Sequence, residues 1–178
     1  ARRQAAVDRG DEVIVGVNGV FGGRMAEVAV RCGANVTKVS ADWGRIIEPA
    51  QIAEALDRVS NPKLVAIVHA ETSTGALTPI EEISKLAHDA GALLLVDAVT
   101  SLGGCPVRID DWKIDAVYSG TQKCLSCPPG LAPVSLSEQA MQKVKNREHG
   151  AQSWYLDVNL LANYWDEGAR VYHHTAPI

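Results

Sequence analysis

Short apolar runs alternate with segments of helical periodicity along most of the chain. Glu12–Asn18 (EVIVGVN) is rich in β-branched residues and lies between Gly10 and Gly19, which predicts a buried strand. Gly22–Cys32 (GGRMAEVAVRC) repeats its apolar residues at helical spacing, with Gly33 placed to end the helix. Val36–Val39 predicts a second strand. Pro49–Val59 predicts a helix with proline in its first turn, where a missing N–H costs nothing. Leu64–His69 (LVAIVH) reads as a third strand, followed by a polar loop, ETSTG, at 71–75. Pro79–Ala90 opens a helix on Pro-Ile-Glu-Glu, setting acids at the positive end of its dipole.

Ala92–Asp97 (ALLLVD) is almost wholly apolar, as a strand covered on both faces must be. Asp115–Ser119 and Leu131–Leu136 predict further strands, and Ser137 is placed to cap the helix after them. This alternation predicts an α/β domain with a mostly parallel sheet. It breaks after Asn146. Ser153–Trp165 is aromatic-rich, and with the tail DEGARVYHHTAPI it predicts an excursion across a surface or onto a partner chain.

Composition narrows the picture further. The 178 residues suit one domain, and 47% hydrophobic with 21% charged residues is ordinary for a globular protein. With 17 Lys+Arg against 21 Asp+Glu, the net charge of −4 argues against a nucleic-acid or anionic-membrane partner. No apolar run approaches the ~20 residues that span a bilayer. Four cysteines are too few for a disulfide scaffold, which points to a reducing cytoplasmic setting. The chain opens at Ala1 on what reads as the tail of a helix and stops at HHTAPI. The expectation is a partial domain over 1–178, with an N-terminal segment and a C-terminal small domain outside it.

Candidate chemistry gathers in the polar segments that follow the strands, where open α/β sheets bind ligands. Asp97 ends a run of five apolar residues, so its carboxylate requires a hydrogen bond or a cation. It is either a structural hydrogen-bonding group or the counter-ion of a protonated ring or metal. Lys123 follows Ser-Gly-Thr-Gln with no acid nearby in sequence. A lysine desolvated in such surroundings loses basicity and becomes an amine nucleophile for Schiff-base chemistry. Cys124-x-x-Cys127 lacks the two further ligands that a closed zinc site requires. His173 and His174 are adjacent, and in a strand neighbours point oppositely. His69 reads as a hydrogen-bonded residue lining the site. Neither a G-x-G-x-x-G nor a G-x-S-x-G motif stands in the strand–helix context that a dinucleotide site or a hydrolase nucleophile needs.

NGVFGGR at 18–24, HAETSTG at 69–75, LLLVDAVTSLGG at 93–104, YSGTQK at 118–123 and YHHTAPI at 172–178 carry a resemblance. Together they resemble the alanine–glyoxylate (serine–pyruvate) aminotransferase family, in the class V group of fold type I pyridoxal-phosphate enzymes. The resemblance implies a three-layer αβα large domain, here incomplete, that binds pyridoxal 5′-phosphate. It places Lys123 at the Schiff-base position, where it would later carry a proton between substrate Cα and coenzyme C4′. It puts Asp97 at the ring nitrogen, Val99 under the ring and Phe21 stacked above it, where many relatives have tryptophan. Thr72 falls near the phenolic oxygen and Gln122 at the phosphate. Tyr172 and Thr175 fall where the family reaches the neighbouring subunit's phosphate, implying a homodimer with shared sites.

The implied reaction moves an amino group from alanine or serine to glyoxylate or pyruvate. Alternatives within the group are transaminases of aminoethylphosphonate, ureidoglycine or pyridoxamine. Another is a cysteine desulfurase, against which Gln122 before the lysine speaks, since histidine is usual there. Outside enzymology, the fold could serve as a non-catalytic binding or dimerisation module.

Overall fold

The structure, a computed structural model, describes residues 7–147, 150–151 and 153–163. Strand β1 (Glu12–Val17) leads into helix α1 (Val20–Arg31), followed by β2 (Asn35–Ser40) and α2 (Pro49–Arg58). Then come β3 (Pro62–Val68), a small hairpin of β4 (Ala70–Glu71) and β5 (Ala76–Leu77), and helix α3 (Ile80–Asp89). Strands β6 (Leu93–Asp97), β7 (Ala116–Tyr118) and β8 (Val134–Leu136) precede helix α4 (Glu138–Lys145). A single 3₁₀ turn at Trp154–Leu156 and the short helix α5 (Val158–Ala162) follow.

Six strands form one sheet in the order β2-β1-β3-β6-β7-β8, parallel except for the antiparallel β7–β8 pair. Successive residues of each central strand feed opposite cores. Ile14, Val65, Ile67, Leu94 and Val96 pack with α2 and α3 through Ile52, Ala55, Ile80 and Ile83. Val13, Val15, Leu64, Ala66, Val68 and Leu95 pack on the other face with Met25 and Ala26 of α1 and Ala140 of α4. Both faces being covered is why ALLLVD carries no polar residue until its end. The two outer strands differ: β2 shows Lys38 and exposed ends on one edge, and β8 is short and largely exposed on the other.

The predicted elements are all present, with informative shifts at their ends. Gly33 adopts φ +90° just past the α1 C-cap, and the Ser137 hydroxyl accepts the Ala140 N–H at 3.1 Å. Helix α1 begins at Val20, two residues before the predicted start, because its first N–H groups are capped from the β4–β5 hairpin. Gly22 lies against β1 so tightly that a Cβ there would stand 2.6 Å from the Gly16 carbonyl oxygen. ETSTG is the turn of a hairpin rather than a plain loop. The predicted strand 131–136 shortens to Val134–Leu136, since the Leu131 and Pro133 carbonyls accept Thr121 N–H and Ser119 N–H instead. The aromatic segment after Asn146 holds to α4 through Asn159 Nδ2, which donates to the Val144 carbonyl at 3.2 Å.

Asp115 ties together the amino-terminal pole of the sheet. Its carboxylate accepts Leu94 N–H at 2.9 Å and the Ser137 hydroxyl at 2.8 Å, and meets His88 Nε2 at 2.7 Å. Removing it orphans three groups on three elements. Asp115→Ala should therefore lower unfolding stability by about 3 kcal/mol, the usual cost of breaking a buried hydrogen-bonded pair. Urea unfolding would measure this, and a loss under about 1 kcal/mol would show that the pole does not depend on Asp115.

Candidate functional site at the carboxyl pole

Covered on both faces, the sheet offers polar chemistry only at its strand ends. The order β2-β1-β3 reverses direction between β1 and β3, and the crevice there is where a ligand normally enters such a sheet. In this chain the crevice holds the protein's own anion. Glu71 is fully buried, and its carboxylate accepts Phe21 N–H at 3.1 Å, Gly22 N–H at 3.0 Å and the Ser73 hydroxyl at 2.7 Å. The Ser73 oxygen in turn accepts Val20 N–H at 3.0 Å. The free N–H groups and positive dipole end of α1 are thus satisfied from within. That leaves the ends of β3, β6 and β7 as the open part of the pole.

Asp97 stands at the end of β6, opposite Tyr118 of β7, and is 4% exposed. One carboxylate oxygen accepts Val99 N–H at 3.0 Å and the other accepts the Tyr118 hydroxyl at 2.5 Å. By strand alternation its side chain projects on the α1 face, where Phe21 and Tyr118 both pack against the core cluster. Phe21 is half-buried, with the Arg24 guanidinium 5.4 Å from its ring centroid. Val99, also half-buried, is fixed through its N–H to Asp97.

The lysine loop is anchored on both sides of Lys123. The Ser119 hydroxyl donates to the Ala98 carbonyl at 3.0 Å, and the buried Thr121 hydroxyl donates to the Pro128 carbonyl at 2.7 Å. Ser126 N–H returns to the Lys123 carbonyl at 2.9 Å. Gly120 allows Gln122 to fold back, since a Cβ there would lie 2.7 Å from Gln122 Oε1. Cys124 Sγ donates to the Thr100 carbonyl at 3.0 Å, and Thr100 Oγ1 shares a hydrogen bond with Thr72 Oγ1. The loops after β3, β6 and β7 are therefore laced together through Thr72, Thr100 and Cys124. Lys123 and Gln122 themselves are exposed, contrary to the expectation of a desolvated amine. Small neighbours in sequence do not bury a side chain that projects from the rim of a turn. Tyr172 and Thr175, with His173 and His174, lie outside the described residues.

The family model described as Aminotransferase class-V matches residues 1–177. The chain belongs to that family. It is 42% identical to rabbit (Oryctolagus cuniculus) alanine–glyoxylate aminotransferase over 174 residues, covering 97% of the chain and 44% of that protein. It is 38% identical to (S)-ureidoglycine–glyoxylate transaminase of Bacillus subtilis (strain 168), covering 96% of the chain and 45% of the relative. The crystal structure of an alanine–glyoxylate aminotransferase from Nostoc sp. superposes with a TM-score of 0.94 at 46% identity, covering 99% of this chain and 46% of that one. The chain thus spans less than half the length of these relatives, and its fold is that of the fold type I aminotransferases.

Within this class-V domain, Glu71, Ser73, Thr100 and Tyr118 hold the candidate site together through contacts that sequence reasoning passed over. Tyr118 was accessible in principle, because parallel pairing of two predicted strands sets it beside Asp97. The Glu71 contact spans about fifty residues and leaves no local signal. Among the described residues no group of three or more His, Cys, Asp or Glu is arranged to hold a metal ion. Burial, and secondarily the neighbouring Cys124, pushes the Cys105 thiol up, so it stays protonated. No described helix is long and apolar enough to cross a membrane.

His69, buried beyond β3, meets Trp112 edge-on at 5.6 Å between ring centroids, and its Nδ1 has no hydrogen-bond partner. Its expected hydrogen bond is thus missing at that nitrogen, and burial lowers its pKa below 6.5. The fold accommodates the neutral ring, whereas the unfolded chain takes up a proton as pH falls through 6.5. Stability from this group is full above that pH and declines from there down through the lowered folded value. His69→Gln should flatten the decline when urea midpoints are compared along a pH series. Parallel curves for both proteins would assign the acid sensitivity to other groups.

Proposed function

We propose that this chain is the coenzyme-binding part of a pyridoxal-phosphate-dependent aminotransferase. The observation that carries this reading is the nearly buried Asp97, held by Val99 N–H and Tyr118 at the same pole as the anchored Lys123 loop. The donor set suits the coenzyme: an oriented carboxylate for a protonated ring nitrogen, an exposed primary amine for an aldehyde, and the paired hydroxyls of Thr72 and Thr100. Bound pyridoxal phosphate supplies a protonated ring that accepts the electrons released at the substrate Cα.

The chain's own residues do the rest. Asp97 would face the protonated ring nitrogen, its carboxylate oriented by Val99 N–H and the Tyr118 hydroxyl. Lys123 Nζ would hold the coenzyme through its aldehyde, and as a free amine it would carry the proton at the substrate Cα. Phe21 and Val99 would pack against the two ring faces. Thr72 would donate toward the phenolic oxygen, and Gln122 would contact the phosphate. Tyr172 and Thr175 would serve the phosphate held by a second copy, and the active unit we propose is a homodimer in the cytoplasm. A partner copy and further chain would also cover the amine of Lys123, which is exposed in this chain alone.

The substrates we propose are alanine or serine as donor and glyoxylate or pyruvate as acceptor; the names of the rabbit and Nostoc relatives support alanine and glyoxylate. Ureidoglycine as donor is the second reading, favoured by the 38% identity to the Bacillus subtilis enzyme. Transamination of glyoxylate should be assayed with each donor, using protein made from the complete open reading frame. Lys123→Ala should abolish turnover. Asp97→Ala should lower kcat about 100-fold or more while the protein stays folded, as expected when a preorganised charge is removed. Near-normal turnover in either variant would contradict the assigned roles, and turnover with ureidoglycine alone would select the second reading.

A further inference from the structure

Helix α1 and the β4–β5 hairpin carry two of the groups assigned to the coenzyme, Phe21 and Thr72, and a buried carboxylate clips one to the other. A helix start needs only a local serine or aspartate as its cap. Here the cap position is Gly19, where a Cβ would stand 2.5 Å from both Glu71 Cγ and the Ser73 oxygen, so the space is reserved for the hairpin's side chains. Glu71 binds the N–H of Phe21 itself and of Gly22, while Ser73 binds Val20 N–H and donates to Glu71. Thr72, between them in sequence, is directed out to Thr100. Thr74 Oγ1 adds a fourth tie, donating to the Asn18 carbonyl at 3.2 Å.

We propose that Glu71 is a positioning residue for the coenzyme: it fixes the Phe21 ring relative to Thr72 and closes the α1 N-terminus to the coenzyme's phosphate. The inference rests on the coenzyme reading above. It deepens that reading by assigning a residue that touches neither coenzyme nor substrate. A full negative charge suits this role better than an amide. One carboxylate oxygen accepts both the Phe21 and Gly22 N–H groups and the other accepts the Ser73 hydroxyl, and the charge complements the helix dipole. A glutamine would offer one acceptor and turn an amide N–H₂ toward donors.

The test uses protein from the complete open reading frame, with pyridoxal phosphate as the probe. Coenzyme affinity is read by titrating the visible absorption of the bound form. Ring orientation is read from the visible circular dichroism induced in it. Glu71→Gln should weaken coenzyme affinity about tenfold, within the range seen when outer partners of a site are lost, and should diminish the induced band. Ser73→Ala, which removes one arm of the clip, should shift both readouts in the same direction by less. Asp115→Asn lies at the opposite pole and should lower thermal stability without changing either readout, which separates positioning from general destabilisation. Unchanged affinity and induced dichroism in a folded Glu71→Gln protein would overturn the proposal. Should Glu71→Gln fail to fold, Ser73→Ala decides alone: unchanged readouts there overturn it equally. A wild-type protein that takes up no coenzyme brings down the coenzyme reading itself, and is distinguished because the failure appears before any substitution.

Discussion

Burial of the central strands on both faces is the constraint from which the rest follows. Val65, Leu94 and Val96 face one helical layer, and Leu64, Ala66 and Leu95 face the other. No polar side chain can be placed along these strands without losing its water, so chemistry is confined to the poles. The two poles divide the work. At the amino end Asp115 gathers backbone, serine and histidine into a structural knot. At the carboxyl end Asp97 is held by Val99 N–H and the Tyr118 hydroxyl, beside the loops that carry Thr72 and Lys123. Two buried aspartates, similar in sequence setting, differ in what surrounds them.

The crevice at the strand-order reversal illustrates how a general rule and a particular sequence interact. Open α/β sheets favour ligand entry there, because a helix N-terminus and a gap between loops coincide. This chain fills that place with Glu71 and uses the helix dipole to stabilise its own carboxylate. The coenzyme site we propose lies instead toward β6 and β7, beside Asp97, Thr72 and the Lys123 loop. The cost of burying the carboxylate is offset by three close hydrogen bonds and the dipole, and the return is a rigid junction between α1 and the hairpin.

Elements whose cause is local or periodic were legible in the sequence. ALLLVD announces a strand covered twice, Gly33 ends α1 with a positive φ, and Ser137 caps α4. The class-V family was legible from motifs, as were the polar segments that meet at the candidate site. What escaped depends on contacts distant in sequence. The start of α1 is set by a glutamate on the hairpin, β8 is trimmed by carbonyls that serve the lysine loop, and the Thr72–Thr100 contact joins loops from different strands. The exposure of Lys123 escaped for a related reason. Burial of a loop side chain is decided by what packs over it, and nothing in SGTQK itself specifies that cover.

The central claim is that Lys123 carries the coenzyme at a pole organised around Asp97. Protein from the complete open reading frame would be incubated with pyridoxal phosphate, reduced with borohydride, digested and mapped by mass spectrometry. The account predicts a stable pyridoxyl adduct on the peptide containing Lys123. A folded protein whose adduct lies on another lysine, or which carries none, would contradict it and leave the class-V fold serving as a binding module.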